Sequence, residues 1–330
     1  MKVHILDDWF DTLRTLPSFA RLDGHEVTVW NDHCEDFSIL AERLRPAQAL
    51  VLFRERTPVA APLLQHLPNL KLISQRGVYP HVDVAACSAS KVLFCSNMQS
   101  GGPSVAAAEL TIALMLASAR QLPQQMKSLQ SGNWQIGVGQ TLRGRVLGLY
   151  GYGKIGGLVG QYAKAFGMNV IWWGSEAGRA KAAAAGEDVA RSRAAFFGEA
   201  DFVSLHNRLT PQTRGLITVD DLGLMKTSAT FINTSRAGLV AKGALEQALA
   251  VGRPGRLALD VFDTEPLTDA NDALVNHPAV IATPHIGFVT EDELDIQFGE
   301  IYDQINAYAA GKPINMINPD VHPLGHWGRP

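Results

Sequence analysis

Residues 146–156 have the sequence VLGLYGYGKIG, in which an apolar run ends in three spaced glycines, Gly151, Gly153 and Gly156. The apolar run predicts a buried strand, and residues 154–166 have the apolar spacing of a helix. In such a strand–turn–helix the first glycine permits a tight turn, the second lets the backbone approach a pyrophosphate, and the third lets helix and strand pack closely. Free N–H groups at the helix start attract the anion. The motif predicts a dinucleotide-binding unit; the alternative is a glycine-rich turn without a ligand.

Strand-like and helix-like segments alternate on both sides of this motif. The strand-like runs are Lys2–Leu6, Glu26–Trp30, Ala49–Phe53, Leu70–Ser74, Lys91–Cys95, Val146–Tyr150, Asn169–Trp173, Phe202–Leu205, Thr230–Asn233, Leu257–Val261 and Val280–Thr283. The helix-like segments are Ser38–Leu44, Val59–His66, Val105–Ala119, Lys154–Phe166, Arg191–Phe197, Ala241–Val251 and about Glu291–Ala310. Apolar strands separated by helices predict an α/β fold with parallel sheets covered on both faces.

The length and a break in this alternation predict two domains. The chain has 330 residues, which corresponds to about two domains, and the Gly/Pro/Ser-rich stretch 96–104 has the composition of a linker. We expect the last helix to return to the first series of strands. The prediction is two Rossmann-like or flavodoxin-like parallel-sheet domains with a ligand-binding cleft between them. Residues 1–97 and 290–330 form one, discontinuous domain, and residues 98–289 form the dinucleotide-binding Rossmann domain.

Composition excludes several classes of protein. Hydrophobic residues make up 46% and charged residues 18%, and the net charge is −3, so neither a disordered chain nor a nucleic-acid-binding surface is expected. The most apolar stretch, residues 110–119, is about half a membrane span. Three cysteines without metal-ligand or CxxC spacing favour free thiols in a reducing compartment. We expect a cytoplasmic globular protein without a metal site.

The end of the second strand of the dinucleotide unit leaves the cofactor open between NAD and NADP. An acid about 20 residues after the motif accepts hydrogen bonds from the adenosine ribose in such folds. Here the strand ends in Gly174, with Ser175 and Glu176 next and Arg179 and Lys181 beyond. Glu176 accepting from a 2′-hydroxyl favours NAD, and Arg179 or Lys181 pairing with a 2′-phosphate favours NADP. All three are equally consistent with solvated loop charges; NAD is slightly favoured.

Three later segments carry reactive side chains directly after predicted strands. They are Asn233–Gly238, Asp260–Pro266 and Thr283–Gly287. If these strands are parallel, Arg236, Glu265 and His285 lie at the same edge of the sheet as the glycine-rich turn.

With these motifs the chain resembles the D-isomer-specific 2-hydroxyacid dehydrogenase family, which includes D-3-phosphoglycerate dehydrogenases and glyoxylate/hydroxypyruvate reductases. The resemblance extends to Val203–His206 and Leu209–Thr213 and is densest over residues 105–287. It implies hydride transfer between a nicotinamide and C2 of a 2-keto or 2-hydroxy acid. It also implies that residues 1–97 and 290–330 form the substrate domain.

The chemistry of that reaction suits the three side chains. Arg236 offers a planar, permanent charge for the substrate carboxylate and for the carbonyl oxygen that gains negative charge. His285 is the natural general acid and base, since imidazole titrates near neutral pH. Glu265 against the far ring nitrogen would fix the tautomer and stabilise the protonated ring.

The resemblance also assigns cofactor contacts. Asp260 should face the nicotinamide, unless it caps a helix instead. Other residues that would line the dinucleotide are Lys154, Ile155, Asn207, Thr234 and Ser235. His206 is expected to be a backbone contact or a packed imidazole.

Relatives clamp the substrate carboxylate with backbone N–H groups of a glycine-rich loop in the first domain. The matching stretch is residues 75–83, in which Gly77 and Val78 are the candidates. Pro80 donates no N–H, so this loop departs from the family pattern.

Trp134 lies in a region that forms a dimer contact in relatives, which predicts a homodimer; the alternative is an aromatic ring buried within one subunit. Other functions remain open. A dinucleotide-sensing protein on the same scaffold is one, formate oxidation is disfavoured by Glu265, and an AdoMet methyltransferase would not need the Arg/Glu/His set. The tail from Gly311 to Pro330 is too short to fold alone, so we expect no regulatory domain after it.

Overall fold

The computed structural model describes residues 1–98 and 105–321. Its strands are β1 Lys2–Ile5, β2 Glu26–Val29, β3 Ala49–Val51, β4 Leu72–Arg76, β5 Leu93–Asn97, β6 Val146–Tyr150, β7 Asn169–Trp173, β8 Phe202–Leu205, β9 Thr230–Asn233, β10 Arg256–Leu259 and β11 Val280–Ala282. Every strand that the sequence predicts is present, with ends that differ by no more than two residues.

The helices cover the faces of the sheets. They are α1 Phe37–Leu44, α2 Ala61–Leu64, α3 Val84–Ala89, α4 Val105–Arg120, α5 Leu122–Gln130, α6 Lys154–Ala165, α7 Glu176–Ala184, α8 Arg193–Glu199, α9 Val219–Leu224, α10 Ala244–Val251 and α11 Glu291–Ala309. The predicted α/β fold with two parallel sheets is confirmed. Helices α3, α5, α7 and α9 are not predicted by the apolar pattern.

The chain divides into two compact units. Unit 1 consists of Met1–Gly102 and Thr290–Pro330, and unit 2 of Pro103–Val289. The sequence places the first boundary at residues 97/98. The predicted linker, residues 96–104, begins too early because Ser96 and Asn97 belong to β5; the rest of that prediction, residues 99–104, lies outside the described residues.

Unit 1 contains a five-stranded parallel sheet in the order β2-β1-β3-β4-β5. This is the flavodoxin-like order of a doubly wound sheet. Helix α11 packs on β4, and polar bonds fix it there. The Ser74 hydroxyl donates to the Ile301 carbonyl at 2.9 Å, and the Gln304 amide donates to the Gln75 carbonyl at 2.9 Å. The last helix therefore belongs to the sheet formed by the first hundred residues.

Unit 2 contains a six-stranded parallel sheet in the order β11-β10-β9-β8-β6-β7. A single parallel bridge between Trp172 and Val189 extends the sheet beyond β7. A Rossmann fold has a further strand at this edge, and the bridge at Val189 occupies its place. The strand order is then that of a Rossmann fold, whose topological switch point lies between β6 and β8. The carboxyl ends of these two strands are therefore where a dinucleotide is expected.

The described residues contain neither a single membrane-spanning helix nor a cluster of metal-ligating side chains. No single helix there is both long enough and apolar enough to span a membrane; α4 and α5 meet that test only together, across a 60° bend. Residues 1–98 and 105–321 contain no group of three or more His, Cys, Asp or Glu side chains placed to hold a metal ion.

Candidate active site

The three motif glycines occupy three different environments at the β6–α6 turn. A Cβ on Gly151, which has a φ of +109°, would lie 2.8 Å from the Asn207 Oδ1 atom. A Cβ on Gly156 would lie 2.8 Å from the Gly151 carbonyl oxygen. A Cβ on Gly153, in contrast, would have no described atom within 4 Å. The outer glycines therefore permit the turn and the close packing, while Gly153 leaves open space beside the backbone that starts α6.

The segment after β8 supplies the other side of the switch point. The Asn207 Oδ1 atom is buried and has no hydrogen-bond partner among the described residues. The His206 ring bonds to the Ser204 hydroxyl at 3.0 Å, and burial lowers its pKa to about 4. His206 is thus a packed, neutral imidazole. An unpaired acceptor beside the Gly151 turn, together with the open space at Gly153, fits a bound dinucleotide.

The loop that carries Arg236 is held by Asn233, the last residue of β9. The buried Asn233 amide donates to the Arg236 carbonyl at 3.0 Å and accepts from the Ser235 N–H at 3.0 Å. Thr234 and Ser235 use their hydroxyls within unit 2: Thr234 bonds to the Thr111 hydroxyl, and Ser235 donates to the Asn207 carbonyl. These bonds fix the loop, so the residues that we predict to line the cofactor also position Arg236.

Glu265 and His285 are in direct contact. The His285 Nδ1 atom lies 2.6 Å from the Glu265 Oε2 atom, and Glu265 Oε1 accepts from the Phe262 N–H at 2.9 Å. Burial raises the pKa of Glu265, but the bond and charge of His285, the Phe262 N–H and the charge of Arg236 together hold that pKa below its usual value. The carboxylate is therefore ionised at neutral pH, and both His285 and Arg236 act on it.

Asp260 holds the loop in which His285 lies. Its Oδ1 atom accepts from the Thr283 hydroxyl at 2.6 Å and from the Ile286 N–H at 2.8 Å, and its Oδ2 atom accepts from the Gly287 N–H at 2.9 Å. This carboxyl group is fully buried, and burial raises its pKa more than the three hydrogen bonds lower it. The bonds also hold His285 in a left-handed backbone conformation, with a φ of +53°. Asp260 thus caps a loop rather than a helix, and its contact with a nicotinamide stays a prediction.

Sequence reasoning did not identify Asn233 or Thr283 as functional. Both are polar residues next to a strand end and within quoted motifs, and that position is the signal that was available. Their partners are backbone groups and a carboxylate that only the folded loops bring near.

Residues 112–287, more than half of the chain, match the sequence model of the D-isomer specific 2-hydroxyacid dehydrogenase NAD-binding domain. The chain belongs to the D-2-hydroxyacid dehydrogenase family. The resemblance given by the motifs is confirmed, as is a cofactor of the NAD(P) class.

Named relatives of this family are similar over most of the chain. A D-3-phosphoglycerate dehydrogenase of Methanocaldococcus jannaschii is 35% identical over 293 residues, which cover 87% of this chain and 55% of that protein. The chain thus spans about half the length of this relative. A glyoxylate reductase of Thermococcus litoralis is 33% identical over 312 residues, covering 90% of this chain and 92% of that one. The crystal structure of a phosphoglycerate oxidoreductase from Vibrio cholerae O395 has a TM-score of 0.88 at 44% identity, covering 94% and 99% of the two chains.

The segment after β7, which the sequence predicts to receive the adenosine ribose, is a helix rather than the expected loop. Glu176 and Arg179 lie on helix α7, and the Ser175 hydroxyl caps that helix by accepting from the Gly178 N–H at 3.2 Å. The Arg179 guanidinium donates to the Gly174 carbonyl at 2.8 Å and lies 4.3 Å from the Trp173 ring centroid. Arg179 is therefore a fixed side chain rather than a solvated loop charge. Ser175 and Glu176 are exposed.

The predicted substrate loop in unit 1 differs from the expectation at Gly77. Its N–H donates to the Asn97 carbonyl at 3.0 Å, and its own carbonyl accepts from the Ser96 hydroxyl at 2.7 Å. The Gly77 N–H is therefore committed to the end of β5, so Gly77 cannot offer a free donor in this conformation. Val78 remains a candidate, and its side chain is exposed.

Trp134 is 74% exposed, so the alternative of an aromatic ring buried within one subunit is wrong. Its carbonyl accepts from the Ser128 hydroxyl of α5 at 2.8 Å, which holds the segment against that helix.

Proposed function

We propose that the protein is an NAD(P)-dependent D-2-hydroxyacid dehydrogenase that acts as a 2-keto acid reductase. The observation that carries the proposal is the 2.6 Å contact between His285 Nδ1 and Glu265 Oε2, in the same unit as the glycine turn. Family membership supplies the reaction class, and this pair supplies the acid and base that the class requires.

The Glu265 contact determines which ring nitrogen works on the substrate. With Nδ1–H donated to the carboxylate, Nε2 is the nitrogen that exchanges a proton with the substrate. When bound, the nicotinamide supplies the hydride that reaches C2. His285 donates its Nε2 proton to the oxygen on C2 as that oxygen becomes negative, and in the reverse direction Nε2 accepts the proton. The ionised Glu265 stabilises the protonated ring throughout.

Arg236 binds the acid function and polarises the keto oxygen. A guanidinium is planar and permanently charged, so it pairs with a carboxylate through two parallel bonds. The Asn233 bonds described above hold the backbone of this residue in place. The positive charge of Arg236 also lowers the pKa of Glu265. The same guanidinium can therefore bind the substrate carboxylate and keep Glu265 ionised. A 2-keto acid is the substrate class that this arrangement fits.

The proposal is tested by oxidation of NADH and NADPH with a panel of 2-keto acids, including glyoxylate, hydroxypyruvate, phosphohydroxypyruvate and pyruvate. At least one should be reduced with steady-state turnover. His285→Ala should lower kcat by about 10²–10⁴, while dinucleotide affinity, measured by fluorescence titration, stays within about twofold. Dinucleotide binding without turnover on any acid contradicts the proposal and favours a dinucleotide-sensing protein.

We also propose a homodimer formed through α5 and the segment that follows it. Exposed apolar side chains are concentrated there, on Leu122, Met126, Leu129, Trp134 and Val138. An apolar surface of this kind on a folded unit marks an interface, and a second copy of this chain is the partner that the family resemblance implies.

A cytoplasmic location is our further proposal. The three cysteines are unpaired in the described structure, and burial raises the pKa of Cys87 and Cys95 to about 12. Thiols of this kind suit a reducing compartment.

A further inference from the structure

The end of β7 has no side chain on the residue that normally receives the adenosine ribose. In a Rossmann unit an acid at this strand end accepts hydrogen bonds from the ribose hydroxyls of NAD. Gly174 occupies the position and is buried. A Cβ there would lie 3.6 Å from the Gly151 N atom, so the position faces the first motif glycine. Its φ of +153° is one that L-amino acids rarely adopt, so the backbone itself disfavours an aspartate.

Arg179 is anchored on this same residue. One of its guanidinium nitrogens donates to the Gly174 carbonyl at 2.8 Å, and the guanidinium carbon lies 4.3 Å from the Trp173 ring centroid. The carbonyl bond uses one of the five N–H donors that a guanidinium carries. A half-buried arginine held by a carbonyl and an aromatic face has lost much of its rotamer freedom, which lowers the entropy cost of binding an anion.

A second cation lies toward the glycine turn. The Lys181 Nζ atom is 5.9 Å from the ring centroid of Tyr152, the residue between the first two motif glycines. Glu176, the carboxylate in this segment, is exposed on the first turn of α7. The segment therefore carries two cations, one at the strand end and one toward the turn, and a single carboxylate, which faces solvent.

We infer that the adenosine subsite recognises a ribose 2′-phosphate, with Arg179 as the specificity-determining residue and Lys181 as a weaker contributor, so the chain prefers NADP over NAD. The inference rests on the proposed dinucleotide site and refines it. It reverses the slight preference for NAD given by the sequence, because Arg179, not Glu176, is fixed at the strand end.

The test uses ligands that lack the nicotinamide half and therefore do not depend on catalysis. Isothermal titration calorimetry compares adenosine 2′,5′-bisphosphate with adenosine 5′-monophosphate on the full chain. We expect the bisphosphate to bind at least about tenfold more tightly, the usual gain from one charge-assisted contact. The ratio should fall as salt is raised, because the contact is partly exposed.

Variants assign the effect to residues. Arg179→Gln should bring the affinity ratio close to one, with binding of the monophosphate changed by less than about threefold. Glu176→Gln should increase the ratio by removing a like charge. Arg143→Gln is the matched control: its side chain is exposed in the loop before β6, at the opposite end of that strand from the turn, and the ratio should be unchanged.

The outcomes separate the two proposals. Equal or tighter binding of the monophosphate by the unmodified chain overturns the 2′-phosphate inference and leaves the proposed function intact. Binding of neither ligand overturns both. An unchanged ratio in Arg179→Gln, with the melting temperature of the variant preserved, removes Arg179 as the determinant. If that variant is unstable, Arg179→Lys keeps the charge and should retain only part of the ratio.

Discussion

Glu265 fixes the ring of His285 through one 2.6 Å bond to Nδ1, and Asp260 fixes the backbone on which that ring is carried. The two carboxylates act on the same histidine but in different ways. Glu265 has a lowered pKa and stays charged, so it stabilises positive charge on the ring. Asp260 is enclosed and accepts three hydrogen bonds from the loop that carries the ring, so its contribution is geometric.

Glu265→Gln tests the electrostatic role. The amide oxygen can still accept from Nδ1–H, but the negative charge is lost, so protonation of the imidazole is less favoured. We expect kcat for keto acid reduction to fall by about 10–10². Steady-state kinetics at saturating cofactor measure the change. The dinucleotide affinity is the control and should not change; a kcat equal to that of the unmodified chain contradicts the assignment.

Arg236→Lys tests whether the planar fork matters beyond its charge. An ammonium keeps the charge but cannot form two parallel bonds with a carboxylate. KM for the keto acid should rise and kcat should fall, lowering kcat/KM by at least about tenfold. Steady-state kinetics at saturating cofactor separate the two constants. Kinetics equal to those of the unmodified chain would remove Arg236 from the substrate site.

At the scale of secondary-structure elements, one arginine joins three parts of unit 2. Arg193, on the first turn of α8, bonds to both carboxylate oxygens of Asp221 at 2.6 Å and to the Tyr150 hydroxyl of β6 at 2.9 Å. Asp221 also forms the capping box of α9 with Thr218. Burial raises the pKa of Asp221, but the bonds from Arg193 and Thr218 outweigh it and hold that pKa below its usual value. The pair therefore stabilises unit 2 when it is ionised.

Asp221→Asn should destabilise unit 2 by about 2–3 kcal/mol, because it leaves a half-buried guanidinium without its counter-charge. The melting temperature, followed by differential scanning calorimetry, should fall by roughly 5–10 °C at pH 7. A carboxyl whose folded pKa is lowered stabilises above its unfolded value of about 3.9 and loses that effect as the pH falls further. The difference between variant and parent should therefore shrink below about pH 4. Asp220→Asn, exposed on the same turn, is the control and should melt like the parent.

The elements that sequence patterns predicted and those that they missed differ in how much surface they bury. Helix α6 buries Val159 and Ala163 along one face, and apolar spacing predicted it. Helix α7 buries only Ala182, and α5 buries none of its residues. Helix α7 therefore has little apolar period to detect. Helix α5 does have one, since Leu122, Met126 and Leu129 recur at helical spacing, but that face is exposed and was not identified from the sequence.

In the candidate site, too, the sequence predicts local features better than contacts between distant segments. The motif glycines follow from spacing alone, because their roles depend on a local turn. The sequence did not predict that the Gly77 N–H donates to the Asn97 carbonyl, because that acceptor comes from a neighbouring strand. Which polar groups pair across strands depends on register, and composition does not give the register.

At the scale of the whole molecule, the chain leaves unit 1, builds unit 2 and returns. The returning helix α11 buries Phe298, Ile301 and Ile305, and it bonds to β4 through Ser74 and Gln75. Unit 1 is therefore completed only after all of unit 2 has been synthesised.

Association with a second copy is the prediction that belongs to this scale. Met126→Glu places a charge in the middle of the exposed apolar surface of α5, where Met126 is 60% exposed. If that surface is the dimer contact, sedimentation should show the mass shifting from dimer toward monomer, because an interface does not bury an unpaired charge without cost. Val251→Glu, at a residue of α10 that is 69% exposed, is the control and should leave the mass unchanged. A dimer of undiminished stability in Met126→Glu would move the interface elsewhere.

No described residue lies within 4 Å of a Cβ added at Gly153, and this has an evolutionary consequence. A methyl group at either flanking glycine would collide with the protein itself, so such a mutant would be lost as a misfolded chain. At Gly153 the extended backbone accepts an alanine, and the added carbon would project into open space, where we propose that the pyrophosphate binds. A single codon change at Gly153 could therefore abolish coenzyme binding in a duplicated gene while the protein still folds. Such a copy would be free to evolve a different function.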